Sequence, residues 1–232
     1  MKRLLVMKKL LALLLAGMMI FSLAGCGSRS DEQYVANWIA AVGLDGDKEL
    51  KYNDVDGYGL ELLEKGKGTM TVDKVKSEII WENDDTTLTV KKDKEEYVAT
   101  IGAGYLEFAD FGGTGAKYYL AIEGSDIAEE MGGFYKEQLA TLGTWKSYKV
   151  EDAYDEDISA EVDPEGLEIT FNPTTVDVKI GEEAFTCEIG TFSYEDGDAS
   201  NDEYDLYWYI VDGEVDIQVS GEDTVFYTCK KQ

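Results

Sequence analysis

Apolar and polar residues alternate with a period of two along most of the chain. The alternation is clearest over Thr69–Val72, Thr87–Val90, Val176–Ile180 and Val215–Val219, each bounded by turn-forming residues such as Gly, Asp and Asn. Successive side chains of a strand point to opposite faces, so this period predicts strands with one buried face.

Short connections join these predicted strands, and no helix alternates with them. The pattern predicts about eight strands over residues 38–122 and about seven over residues 143–230, with one hairpin strand lost around Asp196–Glu203. Short connections are typical of antiparallel meanders, whereas parallel sheets need long crossovers. The predicted fold class is therefore all-β, in two groups of antiparallel strands.

Between the two groups the apolar period changes to about 3.6, the period of a helix. Asp126 followed by Glu129 resembles a capping box, a pairing that begins many helices. The apolar positions that share the helical face are Ile127, Met131, Phe134, Tyr135 and Leu139. Residues 125–142 are therefore predicted to form a short linker helix, which its two central glycines weaken.

The two groups of strands repeat one another. Trp38 and Trp145 are 107 residues apart, and Gly59–Leu62 matches Gly166–Ile169 at the same offset. Looser matches follow in the same order at offsets of 113, 109 and 108: Trp81 with Tyr194, Gly104–Phe108 with Gly213–Ile217, and Tyr119 with Tyr227. Ordered matches of this kind predict an internal duplication.

The conformation at Trp38 has two interpretations. The first is a helix, because Tyr34, Val35, Trp38, Ile39 and Val42 lie at helical spacing. The second is a strand, because the counterpart of Trp38 in the repeat begins a predicted strand. The duplication favours the strand.

The second meander opens with Gly143-Thr144-Trp145, which resembles the Gly-x-Trp motif of lipocalin-like domains in bacterial lipoproteins. The first meander departs from this motif, because Ala36-Asn37-Trp38 lacks the glycine. The resemblance implies two tandem small antiparallel lipocalin-like β-barrels, at residues 34–124 and 143–232. It also implies an interior that holds a small apolar ligand or is filled by side chains, since an eight-stranded barrel allows either.

The chain begins with three regions in a characteristic order. Met1–Lys9 is basic, Leu10–Ile20 is apolar, and Leu23-Ala24-Gly25 precedes Cys26. This order predicts a secretory signal peptide at residues 1–25. Leu23–Cys26 also resembles the lipobox of bacterial lipoproteins, whose cysteine is acylated. The resemblance implies a lipid on Cys26, a tether over residues 26–33 and a place on the extracytoplasmic face of the cell membrane.

The formal charge of −27 limits the partners of this chain. Without the first 25 residues, 17 basic and 48 acidic residues remain, a net charge of −31. Such a field repels nucleic acid and attracts cations or basic partners, so we expect no nucleic-acid partner.

Motifs for covalent or metal-assisted chemistry are missing from the sequence. Histidine is absent, which excludes Ser-His-Asp and Cys-His catalysis and removes the commonest zinc ligand. No Cys-x-x-Cys pair, Walker A loop or Gly-x-Ser-x-Gly elbow occurs. We therefore expect neither enzymatic activity nor a cofactor.

Acidic turns raise the question of calcium. Asn53–Gly57 resembles part of an EF-hand loop, but the pattern places Tyr52 and Leu63 at its first and last ligand positions, where acids are required. A solvated turn and a weak, irregular calcium site are the two interpretations, and no metal ligand is assigned.

Two cysteines remain besides Cys26. Cys187 and Cys229 each lie on the apolar side of a predicted strand, so both are expected in the core of the second domain. A disulfide between them would persist outside the cytoplasm and would stabilise the fold by about 4 kcal/mol. The sequence favours this bridge, and two buried free thiols are the alternative.

Aromatic residues occupy both faces of the predicted strand Tyr204–Ile210. Leu206, Trp208 and Ile210 are expected in the core, whereas Tyr207 and Tyr209 point the other way. The two tyrosines are candidate contact residues for a sugar, a peptide or a partner protein. Cross-strand packing on a wet face is the alternative.

These features together predict a membrane-anchored extracytoplasmic lipoprotein without catalytic activity. Its expected role is to bind a small molecule, a glycan or an envelope protein. The alternative is a structural spacer or protein-interaction module without a ligand cavity.

Overall fold

The chain forms two antiparallel β-barrels, one after the other, joined by two short helices. The computed structural model describes residues 31–154, 156–193, 195–211, 213–221 and 224–232. The all-β class and the tandem barrels predicted from the sequence are confirmed. The predicted signal peptide and Cys26 lie outside the described residues.

The first barrel is a ring of eight strands with a ninth strand beside it. The strand β1 pairs with β9 along one side and with β3 along the other, which closes the ring, and β2 pairs with the second half of β1. The strands are β1 (Asn37–Asp45), β2 (Lys48–Lys51), β3 (Gly59–Leu63), β4 (Lys67–Val72), β5 (Val75–Asn83), β6 (Thr87–Lys92), β7 (Glu95–Ile101), β8 (Tyr105–Phe108) and β9 (Lys117–Ile122). Trp38 therefore lies on a strand, and the helical alternative is wrong.

The second barrel is a closed ring of eight strands in sequence order. They are β10 (Gly143–Glu151), β11 (Leu167–Phe171), β12 (Thr175–Ile180), β13 (Glu183–Phe192), β14 (Asp196–Ser200), β15 (Asp205–Val211), β16 (Glu214–Ser220) and β17 (Thr224–Lys231). The prediction of seven strands is wrong, because β14 occupies the segment that was predicted to lack a strand. Its inward positions are Gly197 and Ala199, whose small side chains hide the apolar alternation.

Two helices, not one, connect the barrels: α1 (Asp126–Met131) and α2 (Lys136–Thr141). Ser125 rather than Asp126 is the N-cap of α1, because its hydroxyl accepts a hydrogen bond from the Ala128 amide at 3.2 Å. Short 3₁₀ turns complete the helical elements, at Glu32–Tyr34, Tyr52–Asp54 and Glu64–Gly66.

The apolar side of the linker helices packs between the barrels. Phe134 packs edge-on against Phe192 of the second barrel, with ring centroids 5.4 Å apart. The same cluster includes Met131 and Leu139 of the linker and residues of β1, β8 and β9, namely Ala41, Val42, Tyr105 and Tyr119. The linker is thus part of one apolar core that contacts both barrels.

The two barrels share their strand order and hydrogen-bond register, as a duplication would produce. Trp38 pairs with Ile122 of β9, and Trp145 pairs with Lys231 of β17. A β-bulge follows each tryptophan at the same distance. The indole N–H of Trp38 donates to the carbonyl of the residue four positions earlier at 3.0 Å, and that of Trp145 does the same at 2.7 Å.

Apolar side chains pack the inside of each ring into one continuous cluster. The largest fully buried members are Trp81, Phe108 and Phe111 in the first barrel, and Phe171 and Trp208 in the second. Of the two interiors that the sequence left open, the filled one fits this packing.

Candidate functional site

Cys187 and Cys229 are free, fully buried thiols. They lie on β13 and β17, which have three strands between them in either direction around the ring. A disulfide needs Cα atoms within about 6.8 Å, and a ring of eight strands spaced about 4.8 Å apart is wider than that. The disulfide favoured by the sequence is therefore absent, and the alternative of two buried thiols is correct.

The two thiols are poorly suited to act as nucleophiles. Burial raises the pKa of Cys187 to about 11 and that of Cys229 to about 12. At neutral pH both stay protonated, and the thiolate is the reactive form of cysteine.

Lysines from neighbouring segments contact the carboxylates of the acidic turn that resembled a calcium loop. Asp56 forms an ion pair with Lys74 at 2.8 Å, and Asp54 lies 4.0 Å from Lys48. Among the described residues, no three His, Cys, Asp or Glu side chains gather in a group suited to a metal ion.

An open groove of about 690 Å³ lies on the outside of the first barrel, a feature that the sequence did not reveal. Its floor is the outward side of β1, where Ile39 is 38% exposed, and its two walls are the segment Tyr52–Tyr58 and the helix α1. The volume falls within the range of about 300–1,000 Å³ that ligand pockets occupy. We call this feature the β1 groove.

Local geometry explains why the β1 groove exists. The strand β1 pairs with β3 up to Ile39 and with β2 only from Val42 onward, so the chain between β2 and β3 loops outward beside β1. Tyr58, at the end of that loop, stacks on Tyr118 with ring centroids 4.8 Å apart, which supports this wall from the core side. Desolvation raises the pKa of the Tyr118 hydroxyl, so its ring stays neutral.

The charged side chains that line the β1 groove are all carboxylates. The charged lining residues are Asp56, Glu123 and Glu129, and all three are exposed. Asp56 is already paired with a lysine, and Glu123 accepts a long hydrogen bond of 3.5 Å from Asn37. The groove therefore offers an apolar floor with a negatively charged rim.

A second surface lies on the outside of β13–β16, where the two tyrosines are exposed as predicted. Tyr207 is 46% and Tyr209 is 57% exposed, while Leu206 and Trp208, which point to the other face of the strand, are fully buried. Across the ladder, Tyr207 stands opposite Asp198, and Tyr209 stands between Asp196 and Asp216. We call the outward residues Glu188, Asp196, Asp198, Asp205, Tyr207, Tyr209 and Asp216 the acidic tyrosine face.

Negative charge is unevenly divided between the barrels. Residues 143–232 contain 24 acids and five lysines, a net charge of −19, whereas residues 34–124 contain 18 acids and ten lysines, a net charge of −8. Between residues 150 and 229 the only base is Lys179, which lies on β12 opposite Glu168. The acidic tyrosine face therefore lies in the most negative part of the chain.

The interpretation of the candidate surfaces rests on their geometry. No protein-family profile matches the chain, and no curated protein matches it. In the part of the chain that the structure describes, no helix is both long and apolar enough to span a membrane.

Proposed function

We propose that this chain is a lipid-anchored extracytoplasmic lipoprotein that binds its partners on the outer surfaces of two filled barrels and has no catalytic activity. The anchor is Cys26, which follows a basic, an apolar and a small-residue region in that order. Each buried methylene contributes about 0.8 kcal/mol, so two or three acyl chains give a firm attachment.

The observation that carries the binding role is the β1 groove. An apolar floor inside an acidic rim suits a small ligand with an apolar body and a positively charged group. The floor removes apolar surface from water, at about 25 cal/mol per Å². The carboxylates of Glu123 and Glu129 stand where they would attract the charged end.

The absence of catalysis is supported by the side chains themselves. The sequence has no histidine, and burial keeps the thiols of Cys187 and Cys229 protonated at neutral pH. Mechanisms that use a histidine base or a thiolate of Cys187 or Cys229 are therefore excluded.

A structural spacer is the second candidate function. It is supported by the linker, because Met131, Phe134 and Leu139 are buried in an apolar cluster that reaches both barrels. Such packing would hold the barrels at a fixed distance from each other. A spacer would keep its role if a larger side chain filled the β1 groove, whereas a binding protein would lose its ligand.

The anchor is tested by Cys26→Ala in the native host. We expect the parent protein to fractionate with the membrane and to carry an acylated N-terminal cysteine by mass spectrometry. The Cys26→Ala variant should lose the acyl mass and leave the membrane fraction, since no thiol remains to be acylated.

Ser28→Ala, two residues further on, is the matched control and should remain attached. A Cys26→Ala variant that still co-fractionates with the membrane after a high-salt wash would contradict the proposed anchor.

A further inference from the structure

The outer face of β13–β16 combines three properties that point to one kind of partner. It is an open sheet face, its two exposed aromatic side chains are adjacent, and its charged groups all have the same sign. Among the described residues, the hydroxyls of Tyr207 and Tyr209 make no hydrogen bond, unlike that of Tyr148, which donates to Glu214 at 2.8 Å.

From this we propose that the acidic tyrosine face docks a basic, extended polypeptide segment of a partner protein. The proposal deepens the binding role proposed above by naming the partner's chemistry at a surface separate from the β1 groove.

The spacing of the face matches an extended peptide. Tyr207 and Tyr209 are two residues apart on one strand, which places them about 7 Å from each other, and alternate residues of an extended peptide have the same spacing. Asp198 and Asp216 lie on the neighbouring strands, about 5 Å away across the ladder. A lysine or arginine above each ring would thus meet an aromatic face and a carboxylate together.

The face continues into a groove that has the same charge. Next to β14, an open groove of about 490 Å³ is lined by Glu188, Asp202 and Glu203, with the uncharged residues Thr186, Ser200 and Asn201. Ser200 stands between Glu188 and Asp205 across the ladder, so groove and tyrosines form one continuous surface. A chain of several residues fits this path better than a compact ligand does.

Lysines flank this surface on both sides, and each is paired with or stands opposite an acid; on the β12 side, Lys179 stands opposite Glu168. Lys230 contacts Glu214 at 3.4 Å, and Lys149 contacts Glu151 at 2.8 Å, both beyond β16. A glycan would leave the carboxylates unpaired, and an anionic glycan would be repelled. A basic polypeptide is the partner that neutralises them.

The test measures binding of a synthetic peptide of alternating lysine and serine to the full mature protein by fluorescence anisotropy. The comparison probes are the same peptide with glutamate for lysine and a neutral oligosaccharide. We expect the lysine peptide alone to bind, with an affinity that falls as salt rises.

The double variant Tyr207→Ala/Tyr209→Ala should weaken binding about tenfold, because two cation–π contacts are lost. The double variant Asp198→Asn/Asp216→Asn should weaken it severalfold and flatten its salt dependence. Matched controls elsewhere on the same barrel are Tyr154→Ala and Glu161→Gln/Glu182→Gln, which should change the affinity less than twofold.

Three outcomes would overturn the inference: equal affinity for the glutamate peptide, binding of the oligosaccharide instead, or an unchanged affinity in both face variants. Circular dichroism of each variant establishes that it is folded. None of these outcomes touches the anchor at Cys26 or the β1 groove, so the proposed function would stand or fall separately.

Discussion

Gly197→Leu is expected to destabilise the second barrel by more than about 3 kcal/mol, and Trp208→Ala to restore part of that loss when the two are combined. Gly197 and Trp208 stand opposite each other across β14 and β15. A Cβ atom at Gly197 would lie 2.1 Å from the Trp208 ring and 2.7 Å from the Thr191 carbonyl oxygen. The glycine is therefore required by the indole and by the Thr191 carbonyl together, and Trp208→Ala removes only the first of these two contacts.

The first barrel shows the reciprocal arrangement, which is why the double variant should fold. At the equivalent positions of β6 and β7, 109 residues earlier, Leu88 stands opposite Ala99, and both are fully buried. Gly197→Leu/Trp208→Ala copies that pair. Trp208→Ala alone should cost about 3–5 kcal/mol, because it leaves a cavity.

Urea unfolding of the four proteins measures these energies. Gly133→Ala is the control, since a Cβ there meets no atom closer than 3.4 Å. A double variant as unstable as the sum of its single variants would contradict the proposed exchange of volume between facing strands.

Trp38→Ala and Trp145→Ala are each expected to cost about 3–5 kcal/mol, and each mainly in its own barrel. Both side chains are almost fully buried, at 3% and 4% exposure. Each indole also caps a helical turn, because its N–H donates to the carbonyl of Tyr34 or Thr141. The duplication therefore predicts matching losses.

Hydrogen exchange by mass spectrometry shows where each loss falls. Trp38→Ala should increase exchange in β1–β9, and Trp145→Ala should increase it in β10–β17. Trp38→Phe and Trp145→Phe keep a six-membered aromatic ring but lose the five-membered ring with its N–H, so they should cost less than the alanine variants, about 1–3 kcal/mol. A loss below 1 kcal/mol for either alanine variant would be evidence against equivalent roles.

The barrels were predictable from the sequence because the two-residue alternation of strands and the internal duplication can both be seen in the order of residues alone. Strands such as β12 and β16 alternate cleanly, and the Trp38–Trp145 offset of 107 holds in the structure. The prediction missed β14 because its inward residues are small. A tryptophan from the next strand fills the space beside them. A pattern search within one strand cannot detect such compensation across strands.

The sequence match of Tyr119 with Tyr227 is out of register for a related reason. The carboxyl-terminal strands differ by 109 residues, so Tyr118 is the partner of Tyr227, and Tyr119 packs outward against Tyr105 instead. Aromatics on both faces of β9 make the two alignments look alike in sequence.

The candidate surfaces differ in how much the sequence revealed. Tyr207 and Tyr209 were predictable, because alternation alone places them outside. The β1 groove was not, since it depends on where β2 stops pairing and on where α1 packs, and both are tertiary features. The prediction of a Cys187–Cys229 disulfide was wrong, because two side chains that both point into a barrel can still lie on opposite sides of it.

The central claim, that ligand binding takes place outside filled barrels, is tested most directly by isothermal titration with dodecylamine and dodecanoate. Ala128→Phe is the matched variant, because Ala128 lines the β1 groove and a larger side chain there would fill it. The account predicts saturable binding of the amine to the parent, little binding of the carboxylate, and loss of amine binding in Ala128→Phe. Binding of both probes, undiminished in the folded variant, would place the ligand inside a barrel and contradict the account, as would no binding at all.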